Sequence, residues 1–193
     1  AERWVEATEL GIHGQTVKNS KYPYCRFDYS AYTTCKDVMA HAKKSTGLYL
    51  VFKTNSSKIS ASWSNKPSRM GDNMTGIVQK GLDLYIKDAK GWHFAAVGRV
   101  STLPEKNSRT RVRLENLPEG EKECLLYLPI WAEVYHLRTG VDDGATIEGL
   151  PTPFRHKVVV HGSSITHGAS ASRPGMSYPA RFGRDNGFYV CNL

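Results

Sequence analysis

At 193 residues, with 40% hydrophobic and 23% charged side chains, the chain has the makeup of an ordinary folded protein with room for one domain and part of a second. It holds no run of 18 apolar residues, which excludes a membrane-spanning helix. Its 26 basic residues against 18 acidic leave a net charge of +8, a balance that favours acidic partners such as polyanionic polysaccharide or nucleic acid.

Up to about residue 153 the pattern is strands and turns, with one short helical candidate at Lys36–Lys44. Leu48–Lys53 is apolar and rich in strand formers, and Lys58–Trp63 alternates with a period of two. The polar stretch Thr54–Ser57 between them reads as a hairpin turn. Ser64–Thr75, with Pro67 and Gly and Asn turn signals, reads as an exposed loop. Gly81–Lys87 and Trp92–Val100 are strands about a turn at Asp88–Gly91. After a loop at Thr102–Ser108 comes Arg109–Leu114, in which Arg109, Arg111 and Arg113 alternate with Thr110, Val112 and Leu114. This is one solvated and one buried strand face, with a polyanion site as the alternative. Bases interleaved with aromatics are missing there, so nucleic acid is not the expected partner. Cys124–Pro129, Ala132–Leu137 and Thr146–Leu150 complete the set. Strands recurring across short turns argue for a mostly β fold, a β-sandwich or jelly roll.

Cys25, Cys35, Cys124 and Cys191 show no C-x-x-C spacing, which argues against zinc. Cys25 and Cys35 could pair in an exported protein, and free buried thiols are the alternative. Trp63, Trp92 and Trp131 read as core residues first and as a sugar-stacking platform second.

The pattern changes after the Pro-containing connector 150–154. Lys157–His161 is a continuous β-branched run, the mark of a strand buried on both faces. A Gly/Ser/Thr turn, a helix at Ser177–Asn186, Gly187 and a strand at Phe188–Leu193 follow, which is one βαβ unit of a parallel sheet. Residues 1–153 are thus expected to form a β-sandwich, and residues 154–193 the start of an α/β domain. One βαβ unit cannot cover both faces of its own strands, so the chain is expected to be a piece of a longer protein.

HGSSITHG, residues 161–168, stands where a buried parallel strand ends, the place where open α/β sheets put their ligands. A serine there can present its hydroxyl beside backbone N–H groups that stabilise an oxyanion. A phosphate-binding or plain turn is the bland alternative, although neither G-x-G-x-x-G nor the P-loop pattern is present. The G-x-S-x-G elbow would need Gly where Thr166 stands.

GSSITHG followed by ASRPGMSYPARFGR and YVCNL resembles the first block of SGNH (GDSL-like) hydrolases, in the subgroup with an N-terminal β-sandwich. GLYLVFKTNSSKISASW, GLDLYIKD and LPEGEKECLLYLPIW are similar to that sandwich. The resemblance implies Ser164 as the nucleophile, with its own N–H as one oxyanion donor. The remaining oxyanion donors and the activating Asp and His would lie beyond Leu193. Ser163 stands where the commonest motif has Asp. Arg173, Pro174, Gly175 and Tyr178 prepare the helix start. Arg173 reads as structural support first and as a substrate contact at the pocket rim second, and His167 as a hydrogen-bonding loop histidine or a substrate contact.

The implied activity is that of a serine esterase, removing acyl groups, acetyl in particular, from carbohydrate without metal or organic cofactor. The implied partners are an acylated carbohydrate or other small ester and the remainder of the hydrolase domain, not nucleic acid. A non-catalytic β-sandwich binding carbohydrate or mediating domain contact is the competing reading. The start at Ala1, without Met or leader, reads as a processed or engineered end and, with the resemblance, as export to the periplasm or beyond. By themselves the 193 residues are expected to be inactive.

Overall fold

The computed structural model describes residues 1–193 apart from 34, 102, 104, 105 and 107. The loop expected over 102–108 therefore lies largely outside the described residues. Two antiparallel sheets face each other. The first runs β1 (Glu2–Glu6), β9 (Val134–Asp142), β4 (Ile59–Asn65), β7 (Arg109–Leu114). The second runs β3 (Tyr49–Thr54), β8 (Lys122–Tyr127), β5 (Leu82–Asp88), β6 (Gly91–Gly98). Short strands β2 (Ile12–His13) and β10 (Ile147–Gly149) pair with β3 on its outer edge. Successive strands cross from sheet to sheet except at β2–β3 and at the β5–β6 hairpin, which is the jelly-roll order.

That crossing corrects one expectation. The turn at 54–57 does not close a hairpin: β3 pairs with β8, and β4 pairs with β7 and β9. Both strands are buried along nearly their whole length, so each lies inside its own sheet. Ser56 holds the corner between them. Its hydroxyl donates to the Lys58 carbonyl at 2.6 Å, and its carbonyl accepts from Lys122 Nζ at 2.8 Å.

The period of two divides the second sheet into two apolar faces. Leu50, Phe52, Leu84 and Leu126 point between the sheets and pack with Ile59, Ala61, Trp63 and Leu137. Tyr49, Val51, Tyr85, Leu125 and Tyr127 form a second cluster on the outer face, covered by Phe154, Ala180 and Tyr189. A sheet covered on both sides is why LYLVFK and CLLYLP read as apolar runs with little alternation. Trp63 is a core residue, with its indole N–H on the Lys80 carbonyl at 2.8 Å. The arginines of β7 are exposed, and Arg111 and Arg113 pair with Glu2 and Asp142. All four cysteines are unpaired, Cys35 exposed and the others buried.

Helices are short: α1 (Ala7–Leu10), α2 (Lys36–Ala42) and α3 (Gly76–Lys80). The last is too brief for a periodic signal, and the Thr75 side chain caps it by accepting from the Val78 N–H at 3.1 Å. Among the described residues no helix is long and apolar enough to cross a membrane.

After the connector, β11 (Arg155–Val160) and β12 (Phe188–Asn192) form a parallel pair. Between them come the single turn α4 (Ser164–His167) and α5 (Tyr178–Asn186). Ser177 caps α5, and Gly187 ends it in the left-handed region at φ 73°. β12 lies against the sandwich, with Val190 and Cys191 buried. β11, expected to be buried on both faces, is instead largely exposed, with Val159 53% accessible. Among the described residues its one ladder partner is β12, and no strand pairs with its other edge.

Candidate active site

The chain leaves β11 at Val160, and the ladder runs one step further. The Leu193 N–H donates to the Val160 carbonyl at 2.8 Å, and the Gly162 N–H to the Leu193 carbonyl at 3.2 Å. Ser163 is extended at φ −92°, and the backbone then winds into the single turn of α4. Gly168 closes that turn at φ 107°; a side chain there would also meet Ile130 and Ser177. Ser164 is the first residue of the turn and is exposed. A first-turn N–H has no intrahelical acceptor, so the Ser164 amide and hydroxyl are presented together at the strand end.

The turn is pinned by residues distant in sequence. The Thr166 carbonyl accepts from Asn192 Nδ2 at 2.7 Å, and the His167 carbonyl from Thr46 Oγ1 at 2.6 Å. Arg26, buried in the sandwich, donates from Nη1 to the Asn192 carbonyl at 3.2 Å and from Nη2 to the His41 carbonyl at 2.6 Å. Between sandwich and turn a cleft of about 570 Å³ opens. His161, Ser163, Ser164 and His167 line one wall; Arg26, Phe27, Val38, His41 and Trp131 line the other.

His167 lies in this cleft with its ring 4.3 Å from that of Trp131. Its Nε2 meets the Ile130 carbonyl at 2.7 Å; a carbonyl only accepts, so the proton sits on Nε2. Burial, reinforced by the Arg26 charge, holds the imidazolium form down to about pKa 3. The ring is thus a neutral donor that resists protonation, ill suited to take a proton from Ser164. Linkage makes it a pH sensor of stability. The unfolded ring binds a proton below its ordinary 6.5 and the folded ring only near 3, so stability falls as pH drops through that window. The contribution is about 1.4 kcal/mol per pH unit at its steepest. Urea melts between pH 7 and 4 should show a shallower pH slope in His167→Gln, which keeps a donor for Ile130. A slope equal to wild type would disprove the assignment.

Arg173 is absent from the residues lining the cleft and is engaged with the sandwich instead. Its Nε donates to Asp83 Oδ1 at 3.2 Å, its Nη2 to the Tyr85 hydroxyl at 3.2 Å, and its guanidinium lies 4.1 Å from the Phe94 ring centroid. Asp83 Oδ2 accepts the Gly175 N–H at 2.8 Å, an approach that leaves no room for a side chain at 175. Asp83 is fully buried; burial pushes its carboxyl up, opposed by the Gly175 N–H and by Arg173. The stretch Gly81-Leu-Asp-Leu-Tyr85 is therefore the joint between β5 and the segment leading into α5.

Sequence reasoning singled out Ser164 and His167, which the fold brings into one cleft. It gave no role to Arg26, His41, Thr46, Asp83 or Asn192, and of the opposite wall it flagged Trp131 alone, as a tryptophan. Arg26 lies in a stretch without motif or periodicity, and His41 in the helical candidate Lys36–Lys44, which carried no functional signal. No three His, Cys, Asp or Glu side chains among the described residues come together as metal ligands.

The family model for the N-terminus of SGNH-hydrolase-type esterases, named for a GxDLY motif, matches residues 2–147, and that of the GDSL-like lipase/acylhydrolase family matches residues 155–193. The search of curated proteins returned no match. Among solved structures, a protein assigned as a GDSL-like lipase from Bacteroides ovatus is 42% identical with a TM-score of 0.94, over 100% of this chain and 56% of that one. A salicylyl-acyltransferase of a tetracycline biosynthetic pathway is 19% identical with a TM-score of 0.75, over 98% of this chain and 53% of that one. A family two carbohydrate esterase from Cellvibrio japonicus is 14% identical with a TM-score of 0.57, over 99% of this chain and 51% of that one; these last two share the fold. The chain spans about half the length of each. With the GLDLY motif forming the joint and the GDSL-like block carrying the exposed serine, the chain belongs to the SGNH-type esterase family.

Proposed function

We propose that this chain is the N-terminal part of a serine esterase in which Ser164 attacks the acyl carbon of an acylated carbohydrate. One observation carries the reading: the Ser164 hydroxyl is exposed at the carboxyl end of a parallel strand and opens into the 570 Å³ cleft. In the reaction Oγ bonds to the acyl carbon, its proton passes to a base, and the sugar alcohol leaves with a proton. Water then releases the carboxylic acid and regenerates the hydroxyl. The Ser164 N–H would stabilise the oxyanion formed on the way. His167 is tied to Ile130, so the base and its carboxylate are assigned to the remainder of the α/β domain. The exposed Val159, Ile165, Tyr178 and Phe182 offer that domain an apolar face to cover. The likeness to a carbohydrate esterase supports a sugar ester; acetate is the acyl group proposed first, and a polymeric sugar substrate would place the enzyme outside the cytoplasm.

The sandwich enters this scheme as a wall of the pocket, because Arg26, His41 and Trp131 stand in the cleft. A free-standing glycan-binding module would be expected to carry its site away from Ser164.

A fluorophosphonate probe tests the nucleophile directly, since Oγ displaces fluoride and leaves a stable phosphonyl ester. In the full-length protein the label should map to the peptide containing Ser164, and residues 1–193 alone should label no faster than unfolded chain. Labelling at another serine would overturn the assignment.

A further inference from the structure

Trp131 separates two hollows. One is the cleft at Ser164; the other is a groove of about 520 Å³ between α2 and the segment that follows β4. Lys36, Lys43, Lys44, Lys66 and Arg69 line the groove, and Glu133 is the one acidic residue in its lining. Glu133 pairs with Lys66 at 3.7 Å, which leaves an excess of four positive charges. The ammonium of Lys44 lies 3.8 Å from the Trp131 ring centroid, on the divide between the two hollows.

The cleft lining adds one cation, Arg26, and one carboxylate, Asp37, which form no ion pair with each other among the described residues. Arg26 is 5% exposed, its two Nη groups are taken by backbone carbonyls, and its Nε has no hydrogen-bond partner among the described residues. No carboxylate among the described residues forms an ion pair with it. Carbonyl dipoles meet its Nη donors without neutralising its charge and leave Nε unmet, and a buried cation in that state draws an anion. The contrast with β7 is plain, where Arg111 and Arg113 have carboxylate partners on their own sheet.

Taking Ser164 as the nucleophile, we propose that the substrate is an anionic polysaccharide, whose carboxylate or sulfate groups lie along the basic groove and bring the acyl ester past Trp131 to the serine. A groove next to the reacting centre turns charge complementarity into orientation of the scissile ester. Single-stranded nucleic acid fits less well. It binds on stacked aromatic platforms, and the ring in this lining, Trp131, lies under an ammonium and against His167.

The test uses the full-length protein and the exposed positions Lys36→Glu/Arg69→Glu, with Lys36→Gln/Arg69→Gln as the milder pair. Polygalacturonate cast in a native gel, a carboxylate polymer without ester, should retard the wild type. Neutral xylan should not, and salt should weaken the retardation. The charge-reversed pair should migrate freely, the neutral pair in between. The ratio of kcat/KM on acetylated polygalacturonate to that on acetylated xylan should fall roughly tenfold in the charge-reversed pair, through KM. Equal retardation of all three proteins would overturn the proposal. So would tighter retention by an oligonucleotide or by phosphatidylglycerol vesicles than by polygalacturonate. Retention without hydrolysis of any ester would leave the groove standing and remove the esterase reading. Hydrolysis of both polymers at equal rate without retention would do the reverse.

Discussion

Replacing Ser164 by Ala in the full-length protein is expected to lower kcat/KM on an acetate ester by roughly 10⁴-fold or more, because the proposed acyl intermediate forms on the Ser164 Oγ. The loss should fall on kcat. The cleft walls, Trp131 and the Arg26 anchor remain, so KM for a bound sugar ester should change little by comparison. Stability should also hold, since the Ser164 side chain is exposed and α4 is pinned through the carbonyls of Thr166 and His167. A variant that kept a tenth of wild-type turnover would end the nucleophile assignment. Because a misfolded protein would also lose activity, an unchanged melting temperature has to accompany the result.

The second large effect is expected at the joint. Asp83→Ala removes the acceptor for both Arg173 Nε and the Gly175 N–H. Removing one member of a buried pair costs about 3–5 kcal/mol, and the quarter of the Arg173 side chain in solvent places this case near the lower end, about 3 kcal/mol. The melting temperature should drop accordingly. The effect on chemistry is separate. Arg173 and Gly175 sit between the serine turn and α5, so loosening them displaces Ser164 relative to the sandwich wall. A displacement near 1 Å can lower turnover by roughly 100-fold. Measured below the melting transition, kcat should fall while the Ser164 label still maps to the same peptide. A double-mutant cycle with Arg173→Met isolates the pair, and additive effects would mean that Asp83 and Arg173 do not act together.

The elements that were legible in the chain are those whose signals are local. Alternation in Arg109–Leu114 marked a strand with a solvated face, and the order strand, turn, helix, Gly, strand over the last forty residues marked a parallel unit. The serine block was legible because a serine in a tight turn at a strand end is a short, contiguous pattern. The hairpin at 54–57 was misread because periodicity identifies a strand without identifying its partner, and in a jelly roll the next strand in sequence belongs to the other sheet.

What only the tertiary structure decided are the meetings of distant residues. Arg26 reaches a carbonyl 166 residues away, Thr46 one 121 away, and Arg173 a carboxylate 90 away. A donor bound to a backbone carbonyl leaves no imprint on side-chain types at the acceptor, so composition and spacing cannot reveal such bonds. Chain order alone placed the hydroxyl at its strand end. The cleft wall, the neutral His167 and the buried Asp83 joint arise because folding brings the sandwich's outer face against the βαβ unit and removes water from between them.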